Sequence, residues 1–420
     1  MALEEPLLGN RRGKKEDGGF LSPGSVSSAV VLECSAAIGT GVLALPYGVS
    51  RVGVIPALFL FAMAAVAAYI SNMILFACVR ETRVGSYGEL MTGILGKNGS
   101  MVLDFFVVVE GLGAVATYLV FIMDYVPQVC VLAGEDYWCN EPTKVALAAS
   151  AIVWPLACMQ GLSALRYVST CSIITLVFTS IVVIAKAPVH FARHDRSLTE
   201  VVSVSTLDVG AFQVMSMACF AFMTHTNTPE IALQLVRPTE GRAAQVVGSS
   251  TFLLWAVYCS IAVCGFVSFL DETKQDFLTN YELKDVCVIL CRCMLSTTLV
   301  FACPINICPS IRALFNIVEG LQAKAPGQQQ PSGKLYENNS VRIAVTTACF
   351  SISLGVALRT PHVADLISVI CAFFTSPLMF TFPALMYRGI LKRKGLAVPV
   401  ILHTFTAALW IAEFCRLFLQ

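Results

Sequence analysis

Eleven stretches of this chain are long, apolar and nearly free of charge, which limits its fold more than any other feature. They lie near 25–49, 54–79, 101–132, 143–159, 167–186, 209–235, 243–269, 283–308, 341–357, 366–387 and 397–418. A bilayer core needs about 20 apolar residues per helical crossing, and tilt absorbs the excess of the longer runs. The shortest two, 143–159 and 341–357, are the easiest to miscount. The runs are continuous, whereas barrel strands alternate over about ten residues, so helices are expected. Only 13% of the residues are charged and 56% are hydrophobic, which excludes a soluble enzyme. A formal net charge of +1 gives no general attraction for nucleic acid. The expectation is an all-α integral membrane protein, one membrane unit over 25–418, with the lipid bilayer as solvent.

Residues 1–24 carry Arg11, Arg12, Lys14 and Lys15 among glycines and a proline, without an apolar stretch before a cleavage site. They read as a disordered cytosolic tail, not a signal peptide. With that end inside, Lys and Arg are about twice as numerous in cytosolic as in external segments, which supports the orientation and puts the carboxyl terminus outside. The cluster from Tyr387 and Arg388 through Lys392, Arg393 and Lys394 falls inside, and Glu135, Asp136, Asp271 and Glu272 outside. Residues 312–340, with Gln328, Gln329, Gln330, Pro331, Ser332 and Gly333, read as a flexible cytosolic loop. The acceptor patterns at Asn98 and Asn338 would then be inside and unmodified. Most of the 17 cysteines lie in the spans as small packing residues. Cys139 is placed for an external disulfide, with Cys130 or Cys287 as partner.

Two spans carry interruptions. The first contains Gly39 and Gly41 near its middle and Pro46 beyond them, a helix that breaks easily. Unwound backbone is tolerated at membrane depth only where it lines a protein cavity, because its free N–H and C=O groups otherwise cost several kcal/mol each. Freed amides at the positive end of a half-helix suit a carboxylate, and freed carbonyls suit a cation. The second interruption is the run Thr224-His225-Thr226-Asn227-Thr228-Pro229-Glu230 in the sixth span, whose polarity is expensive unless it faces water or a ligand. Five spans separate the two, the interval expected of a five-plus-five inverted repeat with an eleventh helix appended.

Gly39-Thr40-Gly41-Val42-Leu43-Ala44-Leu45-Pro46-Tyr47 resembles the first-helix signature of the amino acid/auxin permease family. Phe220-Ala221-Phe222 followed by His225 is similar to that family's sixth-helix pattern. Arg292, Pro304, Pro309 and Arg312 match its eighth-helix spacing, and Pro383-Ala384-Leu385 the end of its tenth helix. The resemblance covers spans one to ten. It implies eleven helices in the leucine-transporter-type fold and secondary active amino acid transport driven by protons or sodium, as in neutral amino acid transporters. It also implies a substrate site around Ile38, Gly39, Thr40 and Gly41 on helix one and Phe220, Ala221 and Phe222 on helix six.

For the coupling ion, sodium-dependent relatives use an asparagine on helix one and a hydroxyl on helix eight. Here Ser35 stands at the asparagine position, and Ser296, Thr297 and Thr298 supply hydroxyls, so a sodium site would rest on Ser35 and Thr297. Protons are the alternative: Glu33, Glu110, Asp124 and Glu230 are intramembrane acids under this topology, costly when charged. Glu33 and Glu230 lie on the interrupted helices, Glu110 has Arg292 as an available partner, and His225 belongs to a residue type that titrates near neutral pH. Proton coupling is placed slightly ahead of sodium. No pocket acid demands a cationic substrate and no pocket base an acidic one, so neutral or broad amino acid substrates are expected. The five scattered histidines form no catalytic or metal motif, and neither an enzyme nor a cofactor is expected. The alternative function is an amino acid sensor of the same fold. A monomer is expected, in the plasma membrane or an acidic organelle; Glu4-Glu5-Pro6-Leu7-Leu8 has one residue too few between acid and leucines for a dileucine sorting signal.

Overall fold

The computed structural model describes residues 22–132, 134, 138–159, 166–203, 210–322, 334–360 and 362–419. The dileucine-like segment, the acidic pair at 135–136 and the loop core at 323–333 lie outside them. Among the described residues every regular element is helical. The first span is two helices, Val26–Ala37 (α1) and Gly41–Val52 (α2), bent by 64° at the glycine pair. Gly53, at φ 90°, turns the chain into Val54–Thr82 (α3), and Tyr87–Cys130 (α4) follows. Pro142–Ala157 (α5), Arg166–Phe191 (α6) and the short Leu198–Ser203 (α7) come next. The sixth span is again divided, into Gly210–Ala221 (α8) and Thr228–Gln234 (α9). Glu240–Phe269 (α10) and Val286–Gln322 (α11) precede a short turn, Lys334–Glu337 (α12). Asn339–Arg359 (α13) leads to Val363–Ile370 (α14), which continues through two π-helical turns into Phe382–Gly389 (α15); Ala397–Leu419 (α16) completes the order.

Among the described residues, eight continuous helices, counting α14 through α15 as one, are long and apolar enough to span a bilayer. The bent pair α1–α2 makes a ninth, and the shorter apolar helices α5 and α8 complete eleven. Two expected boundaries move. The third span begins at Tyr87 instead of 101, as a polar extension kinked at Gly96, whose φ of 65° suits glycine. The eighth runs to Gln322, so the first part of the expected 312–340 loop is helix.

The long helices α4 and α11 pack along each other, with Ser310 Oγ donating to Val107 O at 3.1 Å. α2 packs against α8 and α10, while α9 packs against α3 and α1. Small residues permit this closeness, as usual between helices in lipid. α10 adds a polar tie: Ser250 bonds within its own helix to Val247 O at 3.1 Å while Tyr258 reaches across to Ala37 O at 3.1 Å. α1, α9 and the start of α4 share one face of the bundle. The opposite face carries the α4–α5 connection, closed by a Cys130–Cys139 disulfide.

Candidate functional site

α1 makes its last helical bond from Ile38 N to Cys34 O at 3.2 Å. Its terminal carbonyl at Ala37 accepts from the Tyr258 hydroxyl of α10, so a side chain replaces the lost backbone donor. α2 restarts at Gly41, and Leu43 N closes a tight turn onto Thr40 O at 3.0 Å. The first amides of α2 have no partner within their helix, and the positive end of its dipole points into the break. A Cβ on Gly41 would lie 2.8 Å from Ala221 Cα, so only glycine lets these backbones meet. A Cβ on Gly39 would lie 2.9 Å from the Tyr118 hydroxyl of α4.

Ala221 is also where α8 stops. Phe222 N bonds to Ala218 O and Cys219 O, Met223 N to Phe220 O, and the chain leaves the helix until Thr228. The two interrupted spans therefore touch at their breaks. Thr40 faces Thr117 of α4 at 3.1 Å, Asn306 of α11 donates to the Tyr118 hydroxyl at 3.3 Å, and Phe222 packs on Tyr258 with ring centroids 5.4 Å apart. Ile38 and Gly39 are half-buried, while Thr40, Gly41, Phe220, Ala221 and Phe222 are buried. Amides, carbonyls, hydroxyls and aromatic rings thus converge on one region, a mixture of polar and apolar groups of the kind that lines small-molecule sites. Thr117, Tyr118, Tyr258 and Asn306 were not evident from sequence: each lies in a long apolar helix with no local interruption to single it out.

Towards the face where α1 begins lies a second polar group. Thr228 donates within reach of Glu33 Oε2 at 3.4 Å and Asn72 Oδ1 at 3.0 Å, and Asn72 Nδ2 donates to Thr224 Oγ1 at 2.9 Å. Ser71, beside Asn72 on α3, meets His225 Nε2 at 2.6 Å. All six residues are buried. Glu33 Oε1 and His225 Nδ1 have no hydrogen-bond partner among the described residues. This network joins α1, α3 and the unwound part of the sixth span just below the breaks.

The other coupling candidates are elsewhere. Glu230 is exposed and accepts from Gln234 at 3.4 Å, so it does not join Glu33. Ser35 donates to Leu32 O and Thr297, exposed, to Cys293 O, each within its own helix. Ser296 is buried with a hydroxyl that has no partner among the described residues, and Thr298 pairs with Thr175 at 3.1 Å. The Glu110–Arg292 pairing is not formed. Arg292 instead donates to Leu278 O and Tyr281 O at 2.9 and 3.0 Å, close to its own end of α11.

A family model described as transmembrane amino acid transporter protein matches residues 22–418. The chain belongs to that family. Among relatives of the chain, the putative amino acid transporter AAT1 of Toxoplasma gondii is 28% identical over 73% of the chain and 42% of the relative. AAT1 of Plasmodium berghei is 23% identical over 72% of the chain and 49% of the relative, so the chain spans less than half of either protein. Sodium-coupled neutral amino acid transporter 7 of Danio rerio is 26% identical over 87% of the chain and 79% of the relative. In structure the chain is similar to the inward-facing conformation of Mhp1, with a TM-score of 0.60 at 11% identity over 94% of the chain and 90% of Mhp1. This likeness concerns the fold, the leucine-transporter type with five-plus-five repeats and an added helix.

Proposed function

We propose that this chain is a secondary active transporter that moves neutral amino acids, or a broad set of them, by alternating access. The meeting of the two helix breaks, Gly41 against Ala221, carries the proposal. Ile38, Gly39, Thr40 and Gly41 supply backbone groups for the substrate's carboxylate and ammonium, and Phe220, Ala221 and Phe222 line its side-chain space. The absence of a charged side chain in this set favours a neutral substrate. Rocking of the half-helices against the α4–α11 scaffold would open the site to each face in turn.

Proton coupling is favoured by the buried Glu33, which accepts from Thr228 and has no basic hydrogen-bond partner among the described residues, and by the buried His225 in the same helix interruption as Thr228. Sodium is the second reading, favoured by the buried Ser296 hydroxyl, without a partner among the described residues, and by relatives described as sodium-coupled neutral amino acid transporters. Uptake of a radiolabelled amino acid panel into proteoliposomes, with proton and sodium gradients imposed separately, tests both. Accumulation of neutral amino acids driven by the proton gradient is expected, and a sodium requirement would select the second reading. Folded, correctly inserted protein giving no flux of any amino acid under either gradient would overturn the transport proposal.

A further inference from the structure

Where α3 ends, α4 begins and α15 ends, a cavity of about 570 Å³ opens, lined by Arg80, Glu81, Glu89, Leu391, Lys392 and Arg393. It lies at the ends of three membrane-crossing helices, the depth of lipid headgroups. Three cations and two carboxylates therefore face one space, with an apolar wall at Leu391. Lys392 is held at φ 49°, the left-handed region that non-glycine residues rarely occupy and that recurs at ligand clamps. It has no ion-pair partner among the described residues, and Arg393 is braced over the Tyr387 ring at 5.9 Å. Arg80 reaches Glu240 at 3.9 Å, leaving its side chain 34% exposed.

A single phosphate would answer the cations but leave Glu81 and Glu89 facing like charge. A ligand carrying both a phosphate and a primary ammonium answers both sets, and the ammonium's three N–H donors can bond to carboxylates. A quaternary ammonium has the charge without the donors. Individually exposed ion pairs are weak, but a bilayer presents its headgroups at high local concentration. We infer that this cavity is a headgroup site for an aminophospholipid, phosphatidylethanolamine, with phosphate towards Lys392, Arg393 and Arg80 and ammonium towards Glu81 and Glu89.

The test compares the protein in phosphatidylcholine bilayers with and without phosphatidylethanolamine or phosphatidylglycerol, by thermal unfolding and by native mass spectrometry of retained lipid. Phosphatidylethanolamine should raise the melting temperature by about 2 °C or more over phosphatidylcholine alone and be retained severalfold more often. Lys392→Ala with Arg393→Ala should remove that shift. Glu81→Gln with Glu89→Gln should remove the preference for phosphatidylethanolamine while sparing phosphatidylglycerol. These side chains are exposed, so the variants are expected to fold. A melting temperature unchanged by adding phosphatidylethanolamine to phosphatidylcholine would overturn the inference, as would a full wild-type phosphatidylethanolamine shift in either double variant. The same shift from soluble phosphoethanolamine in detergent would overturn the assignment to a lipid.

Discussion

Gly39 and Gly41 are two residues apart, yet the obstacles to adding a side chain differ in kind. At Gly41 the obstacle is backbone, with Ala221 Cα at 2.8 Å and Ala221 N at 3.0 Å. At Gly39 it is the end of one side chain, the Tyr118 hydroxyl at 2.9 Å, with the ring carbon behind it at 3.5 Å. Gly41→Ala should therefore be the more severe change, with an overpacking cost of about 1–3 kcal/mol and a loss of uptake greater than that of Gly39→Ala. Adding Tyr118→Phe should recover part of the Gly39→Ala loss, whereas Ala221→Gly should not rescue Gly41→Ala. Uptake beside surface expression and melting temperature checks the ranking. Full uptake in Gly41→Val would remove this contact from the transport site.

Between elements, the buried ties are few and specific. Asn72 gives one hydrogen bond to Thr224 and receives one from Thr228, so it fastens α3 to both ends of the unwound segment. Asn72→Leu should cost about 1–3 kcal/mol, because it leaves buried hydroxyls short of a partner, and lower both melting temperature and uptake. Thr297→Val, at an exposed hydroxyl bonded only within α11, should change stability by less than about 0.5 kcal/mol and leave any sodium dependence intact. Loss of sodium-dependent uptake in that variant would return Thr297 to the coupling site. These ties also mark what sequence could convey. The spans were legible because each must satisfy its own backbone in lipid and so stays apolar throughout. The polar first turns of α4 and last turns of α11 lie beyond that constraint, which is why their boundaries moved. The glycine pair and the 224–230 run were legible because each is a local anomaly in an apolar helix. Ser71, Asn72, Tyr118 and Tyr258 gain their significance from which helices become neighbours, and no local pattern carries that. Opposite charge alone likewise misjudged Glu110 and Arg292, because charge says nothing about depth along two helices.

For the molecule as a whole, eleven crossings put the beginning of α1 and the end of α16 on opposite faces, and the disulfide shares the face of the α16 end. The amino-inside orientation, proposed from Lys and Arg placement, puts Cys130–Cys139 outside, where oxidising conditions preserve it. On sealed cells or oriented vesicles, a membrane-impermeant phosphine should reduce this disulfide from the external or lumenal side only, read by mass-tagging of Cys130 and Cys139. Reduction solely from the cytosolic side would invert the topology and, with it, the side of the membrane nearer to the Glu33 network. Cys139→Ser should cost about 2–3 kcal/mol through the loosened α4–α5 connection, lowering the melting temperature. Because the bond lies away from the helix breaks, substrate affinity should be retained in the folded variant. A specific loss of affinity at unchanged melting temperature would instead tie this external connection to the transport site.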